Sequence, residues 1–379
     1  MTDRTSRRRR WLTAGALLCL GMFATACAEA NNNGQNTLHP KGPPAQTILN
    51  LFSPIFWIAA VIGVAVIGGV IYMAVRFRVR PGSDMNPKQV HGNSALEIGW
   101  TIVPALILAV VAVPTIRTIF DLSQSPGPNA VQVKVVGKQW WWQFETLSKT
   151  KKIQAVGADE LVIPAGRQVN VDLTACDASL PDECNVIHSF WVPELAGKQD
   201  VVPGRHQRLT IEADKPGVFN GQCAEYCGLS HANMRFKVIA KSPGDYARWL
   251  EGQKQGPATP LLGPDGKPNG PGPTAIAKFA CTSCHTFTDS KASTYGPNLT
   301  HLASRSTFAS GYYKLDETNL IAWLLNAPGM IPMQSKDCRL PPPATCVGMP
   351  SFTKNTPPGL PVMSHDEAVN IADYLLTLK

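Results

Sequence analysis

Two uncharged apolar runs, residues 55–75 and 98–116, constrain this chain more than any other feature. Each is about long enough to cross a hydrocarbon core of roughly 30 Å. Lipid offers no partner to backbone N–H and C=O groups, so a run of this kind must be helical. The connection between the runs carries Arg76, Arg78, Arg80 and Lys88. The excess of basic residues places that connection in the cytoplasm and everything after residue 116 outside. Arg7 to Arg10 precede a third, shorter apolar run over 11–23, followed by Ala24-Thr25-Ala26-Cys27. A basic start, a short apolar centre and small residues before a cut define a secretory signal peptide, and the run is too short to span comfortably. Both types of signal peptidase would cut after Ala26. A lipoprotein signal would make Cys27 a lipid-bearing first residue, although Leu is usual where Ala24 stands.

From 131 to about 241 the pattern changes. Val131, Val133 and Val135 alternate with polar residues, as do Val169, Val171 and Leu173, which marks half-buried strands. Pro164, Gly166, Pro193, Gly204 and Pro216 punctuate them, so the segment reads as a small β-sandwich. Residues 242–272 are rich in Gly and Pro and read as a flexible tether with one short helix near 246–250. The chain ends on a helical pattern over 366–378, with Ala368, Ile371, Ala372 and Leu375 on one face.

Two clusters carry chemistry. Cys223, Cys227, His231 and Met234 follow one another at short spacing, and His188 lies upstream. Soft thiolate and thioether ligands with imidazole suit copper, and two thiolates able to bridge suggest two copper ions rather than one. The competing reading is a structural Cys2His2 zinc site, which the spacing permits but which has little use for Met234. The second cluster, Cys281-Thr282-Ser283-Cys284-His285, is the c-type haem attachment pattern, with His285 as proximal ligand. A thioredoxin-like redox pair would need a βαβ setting, and the adjacent histidine argues against it. The distal ligand comes from Met330, Met333, Met349 or Met363. Met349 is the best placed, because Met349-Pro350-Ser351-Phe352 resembles the ligand loop of small bacterial cytochromes c and precedes the terminal helix.

The other cysteines then fall into place. Cys19 leaves with the signal peptide, while Cys176 with Cys184 and Cys338 with Cys346 form two close pairs that each read as a loop-closing disulfide outside the cytoplasm. Buried free thiols are the alternative. Residues 1–26 hold five Arg and one Asp, so their removal would halve the net charge of +8. The sandwich and C-terminal regions are each within one charge of neutral, too balanced for long-range steering of a charged partner. There is no nucleic-acid footprint.

Taken together, the chain resembles subunit II of haem–copper cytochrome c oxidases, of the type with a fused C-terminal cytochrome c domain. The resemblance rests on Leu96-Glu97-Ile98-Gly99-Trp100, Gln139-Trp140-Trp141-Trp142, His188-Ser189-Phe190-Trp191, and the block from Cys223 to Met234. It implies a multidomain membrane protein: a two-helix transmembrane hairpin, a cupredoxin-like β-sandwich and an all-α cytochrome c domain. The boundaries expected are 1–26 for the signal peptide, 27–119 for the hairpin, 120–241 for the copper domain, 242–272 for the linker and 273–379 for the cytochrome domain. It also implies a dinuclear copper centre, CuA, bridged by Cys223 and Cys227. His188 and His231 each cap one ion, with Met234 and the Glu225 carbonyl as weak ligands. The Glu225 side chain matches a contribution to a Mg2+ site shared with subunit I. Trp140 matches the residue through which electrons reach CuA, though it could be a core aromatic. Glu97 matches a carboxylate at the mouth of a proton channel, though it could simply favour a helix start through the dipole. Lys138, Trp141, Asn185 and the insertion holding Cys176 and Cys184 depart from the family pattern.

The function implied is electron input to a proton-pumping oxidase: haem c, with Cys281, Cys284, His285 and Met349, passes electrons to CuA and on to haem a in subunit I. Subunit III is a further expected partner, and a quinol-oxidising complex or a small cytochrome c is the expected donor. A quinol oxidase subunit would lack Cys223 and Cys227, and nitrous oxide reductase would lack the membrane hairpin. A copper-trafficking lipoprotein without an oxidase partner is the alternative from another class, and it leaves the haem motif and Glu97 without a use.

Overall fold

The computed structural model describes residues 34–82, 89, 91–175, 186–288, 295–333, 348–353 and 361–379. The signal peptide, Cys27, Lys88, Asn185 and the pairs Cys176/Cys184 and Cys338/Cys346 lie outside the described residues. Both apolar runs are helical: α1 spans Pro43–Arg76 and α2 spans Ser94–Ser123. The side chains that face outward along both are apolar, as a lipid-facing surface requires. Asn93 caps α2, its side chain accepting from the N–H groups of Ala95 and Leu96.

Helix α1 begins twelve residues before the apolar run does. Pro43 and Pro44 occupy its first turn, where a missing N–H costs nothing. That turn rests on the β-domain. Lys41 N–H donates to the Glu194 carbonyl, Asp214 N–H donates to the Lys41 carbonyl, and Ala45 is buried.

The sandwich has two five-stranded sheets. In the first, β1 (Val131–Lys138) lies between β2 (Trp141–Leu147) and β5 (Val169–Thr174), with β3 (Ile153–Ala158) and β8 (Gln207–Ile211) at the edges. In the second, the order is β4 (Glu160–Pro164), β10 (Arg235–Lys241), β9 (Gly217–Cys223), β6 (His188–Trp191) and β7 (Gln199–Val201). Pairs β1–β5 and β4–β10 are parallel; the rest are antiparallel. This is a cupredoxin-like arrangement. The alternating residues Val133, Val135, Val171 and Leu173 all point inward and are buried. Opposite them, Phe190 stacks on Phe236 at 4.6 Å, and Trp142 meets both rings at 5.6 and 5.5 Å. Each such ring contributes about 1.5–3 kcal/mol by leaving water, so this aromatic block is a large part of what holds the two sheets together.

The expected tether is in its first half a helix. α3 covers Pro243–Gln253, with Ser242 as N-cap accepting from Asp245 N–H. Tyr246, Trp249 and Leu250 recur at i, i+3 and i+4 and pack on the sandwich core, which is why the segment is ordered despite its glycines. Burial pushes the Tyr246 hydroxyl up to about 12. The chain then runs into a second core through Leu261. That core is built by α4 (Pro271–Lys278), α5 (Glu317–Met330) and α6 (His365–Leu375). Helix α6 opens with a capping box between Ser364 and Glu367, and Ala368, Ile371, Ala372 and Leu375 are buried. Helix α5 is interrupted at Asn326, two residues before Pro328. The region is helical but not purely so, because β11 (Thr307–Phe308) and β12 (Tyr313–Lys314) form a small hairpin.

Candidate metal centre

Strand β6 delivers His188, β9 ends on Cys223, and the loop from 224 to 234 returns the chain to β10. That loop is closed on itself: Cys223 N–H donates to the Met234 carbonyl, and residues His231–Asn233 make one 3-10 turn. Its donors converge. The sulfurs of Cys223 and Cys227 are 3.8 Å apart. Cys223 Sγ lies 3.8 Å from His188 Nδ1 and 3.2 Å from the Glu225 carbonyl. Cys227 Sγ lies 3.6 Å from His231 Nδ1 and 3.8 Å from Met234 Sδ. Each sulfur therefore has its own imidazole and its own weak donor.

Sulfurs that reach about 2.3 Å to a metal can share it at separations up to about twice that, so the spacing fits bridging thiolates. One zinc ion fits less well. Among the described residues the donors mutually within 4.8 Å are His188, Cys223 and Cys227, and His231 is not in that set. A tetrahedral ion would leave His231 or Met234 without a role, whereas two ions sharing both sulfurs use all six donors. Met234, Cys227 and His188 are buried, and the Glu225 side chain is exposed. The Cys223 thiol is held well below its usual range by its hydrogen bond with Cys227, and the Cys227 thiol is pushed up correspondingly.

Spacing alone did not reveal what holds these ligands in place. At Gly137 any Cβ would stand 2.9 Å from His188 Cδ2, so a side chain there would displace the imidazole. Gln139 Nε2 and Trp140 Nε1 both donate to the Cys227 carbonyl, at 2.8 and 2.9 Å. Trp140 is buried and linked directly to a ligand residue, whereas Trp142 packs edge-on against His188 at 5.8 Å. The order Gly-Lys-Gln-Trp was visible in the sequence, but the role of Gln139 depends on a loop 88 residues away.

At the haem motif, Cys281–Ser283 form a tight turn, and the N–H groups of Cys284 and His285 both donate to the Cys281 carbonyl. His285 Nδ1 bonds the Pro297 carbonyl at 2.8 Å, which leaves Nε2 free for a ligand role. A Cβ on Gly296 would come within 2.5 Å of the His285 ring. Desolvation lowers the His285 pKa and so favours the neutral imidazole that metal ligation needs; burial pushes the Cys281 thiol up to about 12. These residues fit a covalently attached haem. Met349 lies half-buried against the same core, and its N–H donates to Met333 Sδ at 3.3 Å. Met363 is a core residue. Glu97 sits exposed in the first turn of α2, about 40 Å of helix from the end nearer the sandwich.

The fold and donor set define a membrane-anchored cupredoxin-like protein with a preformed thiolate–imidazole–thioether site. Residues 131–241 match the family described as cytochrome c oxidase subunit II, periplasmic domain, and residues 30–118 match its transmembrane domain. A cytochrome c oxidase subunit 2 from Alkalihalophilus pseudofirmus is 34% identical over 379 residues, covering 97% of this chain and 98% of the relative. A quinol oxidase subunit 2 from Bacillus anthracis is 30% identical over 65% of this chain and 81% of its own length. A crystal structure of the periplasmic domain of subunit II of a Bradyrhizobium japonicum cytochrome oxidase is 31% identical. It covers 33% of this chain and 94% of its own, with a TM-score of 0.27. The chain belongs to the cytochrome c oxidase subunit II family. It is thus a membrane-anchored electron-input subunit of a haem–copper oxidase, in a family with a copper centre and partner subunits such as subunit I.

Proposed function

We propose that this subunit takes electrons at a haem c held in its own C-terminal region and hands them, through a dinuclear CuA centre, to haem a in subunit I of a proton-pumping oxidase. The observation that carries the copper half is the paired donor set, in which each of two close thiolates has a separate imidazole and a separate weak donor. When bound, the copper pair and the haem supply reversible one-electron chemistry. The chain's residues bind, orient and shield them. Cys223 and Cys227 would be the shared thiolate ligands of the copper pair, His188 and His231 its imidazole ligands, and Met234 and the Glu225 carbonyl its weak donors. Trp142, Phe190 and Phe236 keep water from beneath the site. Trp140 is the aromatic through which electrons arrive.

Cys281 and Cys284 would anchor the haem, with His285 as its proximal ligand and Met349 as its distal one. The Met349 choice is supported by the engagement of Met333 sulfur with an N–H group. On the ligand loop Tyr226 and Leu229 are 75% and 61% exposed, an apolar rim suited to subunit I, and the exposed Glu225 carboxylate beside them is the proposed contribution to a shared Mg2+. Glu97 sits at the mouth of a proton channel into subunit I. Subunit III is a further partner, and the donor is a quinol-oxidising complex or a small cytochrome c. The copper and haem regions face outward from the cytoplasm, consistent with Arg76, Arg78 and Arg80 on the connection between the helices. Residues 1–26 are removed and Cys27 carries lipid; the units are 27–119, 120–241, 242–272 and 273–379.

Cys223→Ser tests the copper assignment. The dinuclear electron-resonance signal should vanish while the haem spectrum persists, and metal analysis of the parent's soluble region, purified apart from subunit I, should give two coppers and one iron. An unchanged copper spectrum in the variant would refute it.

A further inference from the structure

The sequence motifs leave one buried cluster unused. Asp159 and Glu160, at the turn from β3 to β4, are only 6% and 7% exposed, and both face the C-terminal region. Glu160 Oε1 accepts from Ser306 Oγ at 2.7 Å, Thr307 Oγ1 at 2.8 Å, Thr307 N–H at 3.1 Å and Ser306 N–H at 3.2 Å. Asp159 divides its carboxylate: Oδ1 accepts Trp142 N–H from its own sheet at 2.9 Å, and Oδ2 accepts Ser310 N–H at 3.1 Å. Lys237 Nζ donates to Thr307 Oγ1, and Arg235 lies over the Tyr312 ring at 4.9 Å. Apart from the Trp142 bond, every one of these contacts joins the β-domain to the hairpin β11–β12 and its flanking residues, across 70 or more positions of sequence.

We infer that the Asp159–Glu160 turn is a latch, with the segment from Arg305 to Tyr312 as its catch, that fixes the haem-motif region on the face of the sandwich over Trp140. The inference deepens the proposed function and rests on its reading that this region carries haem. Two carboxylates leave water only where donors are already in place, because an unpaired buried charge is costly. The donors here belong to another region, so the arrangement exists only when the two are docked. The catch is shaped for the task. Ala309, Ser310 and Gly311 are three successive residues with φ of 51°, 58° and 80°, a conformation that side-chain-bearing residues hold only when their surroundings impose it.

Position is what the latch provides. On one side Ser310 Oγ donates to the Trp140 carbonyl at 3.3 Å, and the Trp140 indole donates to the carbonyl of Cys227. On the other side Arg305 donates to the Asn298 carbonyl, next to the Pro297 carbonyl that orients His285. The segment from Arg305 to Ser310 is therefore one residue removed from each cluster, through Trp140 on one side and Asn298 on the other. Neither region has the net charge to steer the other from a distance, so short-range matching must set the docked pose.

The test uses the full-length chain in its detergent-purified oxidase complex. The variants are Glu160→Ala, Glu160→Gln, Ser306→Ala and the double variant of Glu160→Gln with Ser306→Ala. Haem and copper spectra are recorded first; absence of covalently bound haem from this subunit of the parent, told apart from the haem of subunit I by its retention under denaturing electrophoresis, would sink the attachment reading, and the exchange data would then judge the latch alone. Amide exchange of Ser306, Thr307 and Ser310 should quicken about tenfold or more in Glu160→Ala, as expected for lost hydrogen bonds to a charged group. Flash-induced transfer from haem to copper should slow in step. The double variant should show less than the sum of its two single effects, because one bond is shared. Ser306 is exposed, so its truncation keeps the test informative if Glu160→Ala fails to accumulate. Unchanged exchange in both Glu160→Ala and Ser306→Ala, or faster exchange with unchanged transfer, overturns the proposal.

Discussion

At the scale of single residues, the Cys227 carbonyl ties the thiol loop to the turn between β1 and β2, with Gln139 and Trp140 both donating to it. Trp140→Phe keeps an aromatic ring but leaves that carbonyl one donor short. It should lower unfolding stability by about 1–3 kcal/mol, retain the copper spectrum and slow electron arrival at copper. Flash kinetics identical to the parent would reduce Trp140 to a packing residue. Asp159 gives a pH prediction. Burial raises its pKa from 3.8 to about 7, against the pull of its Trp142 and Ser310 bonds and of Arg305, with Glu160 adding to the rise. A carboxyl that binds its proton more tightly when folded makes stability fall as pH rises from about 4 to about 7 and level off above, a change of roughly 4 kcal/mol at most. Asp159→Asn should flatten that stretch of the curve, as read from thermal unfolding at several pH values. An unaltered slope would mean the carboxyl titrates normally.

Among elements, β1 and the β9–β10 loop decide whether the ligands meet. Gly137→Ala would place a Cβ against His188, and overpacking of this kind typically costs about 1–3 kcal/mol. We expect copper content to fall with the haem spectrum unchanged; full copper loading would show that the imidazole can move aside. The loop bearing Met349 hangs on the interruption of α5. Phe352 N–H donates to the Leu325 carbonyl, and Asn326 pairs with Ser351 across the break. Met349→Ala should abolish the weak red absorption that reports sulfur–iron bonding, and Met333→Ala should keep it. The reverse pattern would move the assignment to Met333. The ligand block was legible because its donors sit within twelve consecutive residues, and the strands of β1 and β5 because their alternation has period two. Helix α3 was only half legible. Its Gly-rich composition reads as tether, while the spacing of Tyr246, Trp249 and Leu250, also present in the sequence, reads as an amphipathic face.

On the scale of the whole molecule, what the sequence could not disclose is pairing at a distance. Glu160 and Ser306 are 146 residues apart, and neither belongs to a motif. Balanced composition in both regions, which argued only against long-range steering, is what a short-range docking surface looks like from composition alone. The start of α1 was hidden for a different reason: residues 43–54 are too polar in part to read as membrane helix, and their order comes from lying against the sandwich. That start has a mechanical consequence. Thirty-four helical residues measure about 50 Å, and a bilayer core takes about 30 Å of them. The remainder is a stiff post, fastened to the β-domain at Lys41 and Ala45 and sunk into lipid below. The altitude of the copper ligands above the membrane is therefore counted out in residues. Removing four residues from that post would drop the domain by about 6 Å and swing it about its vertical axis by about 40°, misaiming the ligand loop at its partner while leaving every bond within the domain intact.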